Sequence, residues 1–281
     1  MPGRRKRSAG KTILLMLHVL LFLSGIALLL YPKINAIWTD YLLNRDADAF
    51  LSFVHTDAYI QGENTTQVII TKPGVQEPEE TLPEQYPVLW LQMKAYNEDI
   101  FLSGQEGLSG EESYVEPSFI LADYGLESEV FAVLSIPKLD LKMPIYLGAT
   151  WQHMADGAAQ MTETSLPIGG KNTNCVIAGH RGWNGAAYFL HIPNLEIGDT
   201  VIITNLWETL TYEVVETKII NPYDVEAIHI QPNRDLITLL TCHPPATGGR
   251  QRYLVYCERI LELEVPWRIK DLPECLPLAV S

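Results

Sequence analysis

Residues 236–244 read LITLLTCHP, a leucine-rich and β-branched run that delivers a single cysteine to its end. This composition predicts a buried β-strand. The strand cannot continue far past Cys242, because Pro244 and Pro245 each lack a backbone N–H donor and two glycines follow at 248–249. We therefore expect Cys242 at the mouth of a loop, where a side chain can meet a ligand.

Other short apolar runs lie on both sides of this strand in the sequence. Arg252 opens the run 253–260, and the run 174–179 ends at His180. Four further runs have β character, namely 131–137, 143–148, 200–204 and 210–215. Residues 149–161 are predicted to form a short helix. Closely spaced short strands favour a mainly β fold, a barrel or a sandwich of about eight strands, over a parallel α/β sheet.

The N-terminal region contains an uncharged apolar segment, residues 13–31, of about the length that a helix needs to cross a bilayer. It is longer than the apolar region of a signal peptide and no small-residue cleavage site follows it, so we predict a retained anchor; a cleaved signal peptide is the alternative. The basic run RRKR at 4–7 precedes it. By the positive-inside rule, we expect a single-pass protein of the cell membrane with a cytoplasmic N-terminus and an extracellular main domain.

Charge and cysteine spacing limit the partners and ligands of this chain. The net charge of the 281 residues is −14, so a nucleic-acid partner is not expected. The four cysteines, Cys175, Cys242, Cys257 and Cys275, have no paired spacing of the kind that binds zinc, so no metal site is predicted. Cys175 and Cys257 lie in apolar strands and are predicted to be buried. A disulfide on an extracytoplasmic face remains open.

The sequence pattern divides the chain into five parts. Helical periodicity continues after the anchor over 34–55 and returns over 88–102, with an acidic, proline-rich linker between them at 56–87. The predicted parts are a basic cytoplasmic tail at 1–12, a transmembrane anchor at 13–31, a helical extension with linker and loop at 32–129, a β-domain at 130–260 and a tail at 261–281.

Three side chains at predicted strand ends form a chemically coherent set. A thiol is a weak nucleophile unless a base or a positive setting favours its thiolate, and His180 can supply the proton transfer that this requires of Cys242. Arg252 can stabilise an oxyanion; Arg250, two residues earlier and on the same side of an extended strand, is the alternative. Taken singly, a cysteine in a strand is usually buried, a histidine structural and an arginine solvated. Their joint pattern indicates cysteine-based catalysis.

These residues resemble the signature of the sortases, the membrane-anchored cysteine transpeptidases of Gram-positive bacteria. Residues 238–242 (TLLTC) match the TLxTC motif of that family, and the order His180, Cys242, Arg252 is the family order. Similar segments occur at 135–138 (SIPK), 164–170 (TSLPIGG) and 178–182 (AGHRG). The last two are most similar to class C, the pilin-polymerising sortases.

The resemblance implies a fold and a set of site residues. It implies an eight-stranded β-barrel without a cofactor over residues 130–260, with Cys242, His180 and Arg252 as catalytic residues. Arg252 is chosen over Arg250 because the family arginine directly precedes the apolar strand. Thr241 matches the threonine of the motif and is expected to touch substrate.

Class C sortases typically carry a lid with an Asp-Pro-aromatic motif over the cysteine. The corresponding loop of this chain, Glu116-Pro117-Ser118-Phe119, offers a carboxylate, a proline and an aromatic ring at a different spacing. Glu116, Pro117 and Phe119 are therefore the residues of a candidate lid.

The resemblance also implies a reaction. Cys242 would attack the Thr–Gly bond of an LPXTG-like sorting signal on a pilin or another surface protein, and an amine would resolve the thioacyl intermediate. In pilin polymerases the amine is a pilin lysine, and in housekeeping sortases it belongs to the cell-wall precursor. Pilus assembly is the first hypothesis and wall anchoring the second. A non-catalytic extracellular β-domain that binds protein or peptidoglycan is the third.

Overall fold

The computed structural model of the chain describes residues 9–61, 82–109 and 115–260, and eight strands within it close into a barrel. The strands are β1 (Val130–Ile136), β2 (Leu141–Leu147), β3 (Ala158–Gln160), β4 (Thr173–Ala178), β5 (Thr200–Thr204), β6 (Thr209–Ile220), β7 (Asp235–His243) and β8 (Gln251–Arg259). Around the barrel they follow the order β1-β2-β3-β4-β7-β8-β6-β5. The eight-stranded, mainly β fold is confirmed, and it is a barrel and not a sandwich.

The strand pairings explain the hydrophobic patterns in the sequence. The pairs β2–β3 and β4–β7 are parallel, and the other neighbours are antiparallel. Every residue of β4 is buried, which accounts for the apolar run at 175–178, whereas burial in β5 alternates from residue to residue. The largest fully buried side chains include Phe131, Phe189 and Tyr212.

The single helix predicted over residues 149–161 is wrong. Helix α3 covers only Trp151–Asp156, and Ala158–Gln160 forms β3, which pairs in parallel with β2. Gly157 separates the two elements because its backbone lies against β2, where a Cβ would stand 2.6 Å from the Pro144 carbonyl oxygen. A strand of three residues is too short to give a periodic signal.

The N-terminal region is one long helix. Helix α1 covers Ala9–Gln61 with Pro32 inside it, so the predicted anchor and the helix predicted after it are continuous. By length and composition alone, its part Ile13–His55 is the one helix of the described chain that could cross a membrane. Farther along, Leu43 and Phe50 are buried where α1 packs against β1 and β2.

The helix predicted over residues 88–102 is confirmed as α2, Pro87–Leu102. Pro87 occupies its first turn, where a missing N–H costs nothing. Leu89 and Met93 are fully buried, and the Asn97 side chain accepts a hydrogen bond of 2.7 Å from the Leu166 backbone. Short 3₁₀ helices occupy Glu106–Ser109, Leu121–Tyr124, Pro137–Leu139, Tyr188–Asn194 and Val225–Ile228.

Three predictions lie wholly or partly outside the described residues. These are the basic tail at 1–8, the part of the acidic linker at 62–81, and the C-terminal tail at 261–281 with Cys275. The limits of the five predicted parts therefore stay predictions.

Candidate active site

The ends of β4, β7 and β8 bring the three predicted catalytic residues to one rim of the barrel. Ala178 of β4 pairs with Leu240 of β7, and the register continues through a 3.0 Å hydrogen bond from the Gly179 N–H to the Leu240 carbonyl. His180 follows Ala178 by two residues, as Cys242 follows Leu240. Across the other edge of β7, Cys242 pairs directly with Arg252 of β8.

Cys242 differs from the other described cysteines in its exposure. Cys175 and Cys257 are buried, as predicted; both are free thiols, and burial raises the pKa of each. Cys242 is also a free thiol but is half-buried at the rim. Within the described residues, no group of three or more His, Cys, Asp and Glu side chains could hold a metal ion. Of the described thiols, Cys242 is thus the one that a substrate can reach.

Thr241 points the opposite way from Cys242, as neighbouring residues of a strand do. It is buried, and its hydroxyl donates a 2.7 Å hydrogen bond to the Gly179 carbonyl. This bond ties β7 to the residue just before His180, so Thr241 helps to set the distance between the two strand ends. Its contact with substrate stays a prediction.

Gly249 holds the Arg252 side chain next to the thiol. Nη1 of Arg252 donates to the Gly249 carbonyl at 2.6 Å and to the Gln251 carbonyl at 3.2 Å. A Cβ on Gly249 would stand 2.9 Å from that Nη1 and 3.2 Å from Sγ of Cys242. The guanidinium and the thiol therefore flank one glycine. Arg250 precedes the strand and is exposed, whereas Arg252 is half-buried opposite Cys242.

Aromatic rings surround the imidazole of His180. The Trp183 ring stacks on it at 4.4 Å between centroids and 16° between planes, and Trp151 and Tyr188 approach edge-on at 6.4 and 6.2 Å. Burial lowers the pKa of His180, which favours the neutral form that can accept a proton. Its Nε2 is buried without a hydrogen-bond partner among the described residues. The sequence analysis missed these rings; their one signal is that Trp183 follows the AGHRG segment.

The backbone around His180 is fixed on both sides. A Cβ on Gly179 would stand 2.6 Å from Cδ2 of the buried Phe189 ring, so the position before His180 needs a glycine. The N–H of Phe189 donates to the His180 carbonyl at 2.9 Å. The end of β4 and the following 3₁₀ helix therefore both fix the backbone position of His180.

Arg181 is a second residue that the sequence analysis missed. Its Nη1 lies 3.3 Å from the Cys242 carbonyl, to which it donates, and 3.4 Å from Nδ1 of His243. Its guanidinium lies 5.8 Å from the centre of the Tyr253 ring, and burial lowers its pKa. Arg181 therefore joins the end of β4 to the backbone of Cys242, a contact that no local sequence pattern encodes.

The candidate lid, residues 116–119, lies on the outside of the barrel. Its backbone accepts a hydrogen bond from the Thr162 hydroxyl and packs against Gly148, where a Cβ would stand 2.7 Å from the lid proline. Phe119 packs edge-on against Tyr96 at 5.9 Å. In the described part of the chain, no hydrogen bond or ion pair joins this segment to the three rim residues, and its role as a lid stays a prediction.

Comparison with known proteins places the β-domain in one family. The family model described as "Sortase domain" matches residues 134–260. Sortase D of Bacillus subtilis is 29% identical over 130 residues, which cover 46% of this chain and 63% of that protein. The matches span between 44% and 63% of the lengths of the curated relatives.

Solved structures give the same result over a longer region. A pilus-related sortase C of Group B Streptococcus is 30% identical, with coverage of 61% of this chain and 91% of that chain and a TM-score of 0.50. A structure of Clostridium perfringens sortase C with the C-terminal cell wall sorting motif is 30% identical, with coverage of 63% and 89% and a TM-score of 0.52. With its closed barrel and its matched domain, the chain belongs to the sortase family.

Proposed function

We propose that the protein is a cysteine transpeptidase that cleaves an LPXTG-like sorting signal and joins the new carboxyl group to an amine. The observation that carries this proposal is the pairing of Cys242 with Arg252 at the rim where His180 follows the end of the neighbouring strand β4. The relatives named sortase support it. A sorting motif bound to the Clostridium perfringens sortase C supports a peptide of this kind as the substrate.

Each rim residue has a role in the proposed reaction. His180 accepts the thiol proton of Cys242, the resulting thiolate attacks the threonine carbonyl carbon of the signal, and the Arg252 guanidinium stabilises the oxyanion that forms. The C–N bond then breaks, and His180 protonates the departing amine, which leaves a thioester on Cys242. The acceptor amine attacks this thioester and gives its proton to His180. The new amide is released and the thiolate returns.

The acceptor that we propose is a lysine of a pilin subunit. The pilus-related Group B Streptococcus sortase supports this choice. The alternative acceptor is the amine of a cell-wall precursor, which would make the protein a surface-protein anchor. Deleting the gene distinguishes the two: loss of high-molecular-weight pilin ladders supports pilus assembly, whereas loss of wall-attached monomers alone supports wall anchoring.

We further propose that α1 anchors the enzyme as a single span, with the N-terminus in the cytoplasm and the barrel outside. The support is the exposed apolar segment of α1 and the basic run RRKR before it. Cysteine labelling at the two ends of α1 in intact cells tests this orientation. Labelling of the barrel end by a membrane-impermeant reagent is the expected result.

Trapping of the thioester tests the enzyme proposal. The full chain in detergent is incubated with an LPXTG-type peptide, and mass spectrometry is expected to find an acyl adduct on Cys242 that the Cys242→Ala variant lacks. Absence of an adduct with every sorting peptide would favour the third hypothesis, a non-catalytic binding domain. The half-exposure of Cys242 already argues against that hypothesis, which predicts a buried thiol.

Two arginine variants form a matched pair for the oxyanion role. Arg252→Ala is expected to lower turnover about 10²–10³-fold, as loss of an oxyanion donor does. Arg250→Ala removes the same charge two residues away on an exposed side chain and is expected to leave turnover within about twofold. The reverse order of effects would transfer the role to Arg250. His180→Ala is expected to abolish turnover while leaving the thermal unfolding midpoint near that of the parent.

The candidate lid has its own test. If residues 116–119 cover the site in solution, Glu116→Ala and Phe119→Ala will each raise the rate of peptide cleavage. Unchanged rates would mean that the rim is open in the free enzyme.

A further inference from the structure

The outward end of the apolar segment contacts the turn that follows His180. Nδ2 of Asn35 on α1 donates a 2.9 Å hydrogen bond to the Asn184 carbonyl, across 149 residues of chain. At Gly185, a Cβ would stand 2.9 Å from the Pro32 carbonyl oxygen and 3.0 Å from Cβ of Ala36. Two adjacent residues of the turn are thus in contact with one turn of helix.

The turn itself is a tight and well-defined hairpin. The Trp183 N–H donates to the Ala186 carbonyl at 3.0 Å, and the Ala186 N–H donates back at 2.8 Å. The two residues between them, Asn184 and Gly185, both have positive φ, 49° and 85°. Asn-Gly with two positive φ values is the preferred sequence of a two-residue hairpin turn of type I′. A contact at Gly185 is therefore transmitted directly to the backbone of Trp183.

Trp183 in turn determines where the imidazole can lie. Its ring stacks on His180 at 4.4 Å and 16°, and Trp151 packs edge-on against Trp183 at 5.3 Å. Trp151 is 71% exposed, whereas Trp183 is half-buried and packs against the core, so the ring cluster reaches from the core to the surface. Since Nε2 of His180 has no hydrogen-bond partner among the described residues, ring stacking is the main restraint on the orientation of the imidazole.

We infer that Trp183 is a positioning residue for the His180 imidazole, and that the turn of α1 at Pro32–Ala36 holds Trp183 in place through Asn184 and Gly185. The membrane-proximal helix is then part of the scaffold of the active site as well as an anchor. The catalytic consequence rests on the proposed function of His180. The chain of contacts from α1 through the turn and Trp183 to the imidazole, which we call the relay, does not depend on that function.

Variants of Trp183 test the first half of the relay. Trp183→Ala is expected to lower kcat for peptide transfer about tenfold or more, because a misplaced general acid is inefficient even when substrate binds normally. KM should change little, and Trp183→Phe, which keeps a stacking ring, should restore most of kcat. A change in KM alone, or equal losses in the two variants, would overturn the positioning role.

Two matched pairs of variants test the second half of the relay, the contact between α1 and the turn. Gly185→Ala adds a methyl group at φ +85° against α1, whereas Gly198→Ala adds one at φ +92° with nothing within 4 Å. Asn35→Ala removes the bond to Asn184, whereas Asn44→Ala removes a bond within α1 to the Asp40 carbonyl. The first member of each pair is expected to lower kcat severalfold and the second to leave it unchanged. Equal effects within both pairs would overturn the role of α1.

A spectroscopic measurement separates this inference from the enzyme proposal. The full chain in detergent micelles is labelled with ¹³C-histidine, and loss of one signal in His180→Gln assigns the imidazole. In the parent, ring stacking on the indole shifts the carbon-bound protons of His180 upfield, and the Trp183→Ala and Gly185→Ala variants should lose part of that shift. An inactive parent with these shifts would refute the transpeptidase and keep the relay. An active parent whose His180 signal is unchanged in both variants would refute the relay alone.

Discussion

A methyl group at Gly249 is expected to separate catalysis from stability. In Gly249→Ala the new Cβ would stand 2.9 Å from Nη1 of Arg252 and 3.2 Å from Sγ of Cys242. The guanidinium is the far end of a flexible side chain and will move first. It then loses its 2.6 Å bond to the Gly249 carbonyl. Complete removal of an oxyanion donor costs about 10²–10³-fold in kcat, so we expect displacement to cost roughly 10- to 100-fold.

Gly248 provides the matched control, because both glycines have φ +72° and nothing lies within 4 Å of a Cβ on Gly248. Alanine in this left-handed region costs about 1–2 kcal/mol at either site. For a domain of this size, that lowers the unfolding midpoint by roughly 2–8 °C in both variants. The assay combines thermal unfolding with transfer of a sorting peptide to an amine. Equal turnover in the two variants, or a much larger loss of stability in Gly249→Ala, would refute the reasoning.

Three further variants probe other parts of the barrel. Gly179→Ala forces a methyl group to within 2.6 Å of the buried Phe189 ring and should cost about 1–3 kcal/mol in urea unfolding, with a lower kcat; unchanged stability would contradict the packing argument. Arg181→Ala removes a donor to the Cys242 carbonyl and should lower stability by about 1 kcal/mol and kcat severalfold; parent-like kinetics would remove Arg181 from the site. Burial raises the pKa of Asp235, so the contribution of this carboxyl group to stability is full below its ordinary pKa of 3.8 and is lost as the pH rises through the raised pKa. In Asp235→Asn the unfolding midpoint should therefore change less with pH over that range. A pH dependence of the midpoint equal to that of the parent would show that another group controls it.

Local sequence signals were sufficient for most of the barrel. Seven of its strands and α2 could be placed from apolar runs and helical periodicity, because each is long enough to repeat its pattern. The strand Ala158–Gln160 could not, because three residues carry no period and its partner β2 is reached only by folding. The outer part of β6 was also missed: it extends to Ile220, and its residues 216–219 are mostly exposed and polar.

For the site, the sequence could indicate the residue types but not their surroundings. The run of apolar residues before His180 and Cys242 predicts that both lie at strand ends. The contacts that fix these side chains come from distant parts of the chain. Arg181 donates a hydrogen bond to the Cys242 carbonyl, and Asn35 donates one to the turn after His180. The choice of Arg252 rested on the family resemblance, because spacing alone also allowed Arg250.

The burial pattern of β7 explains how folding could fix the orientation of the nucleophile. Leu239 and Thr241 are fully buried toward the inside of the barrel, while Leu240 and Cys242 alternate with them and are half-buried. Because side chains alternate along a strand, a slip of one residue would turn Cys242 inward and expose Thr241, whose hydroxyl would lose the Gly179 carbonyl. The same slip would break the pairing of Cys242 with Arg252 across β8. The burial of apolar side chains that sets the register of β7 therefore also places the Cys242 thiol beside the Arg252 guanidinium. A barrel that folds in this register needs no further interaction to orient the Cys242 side chain.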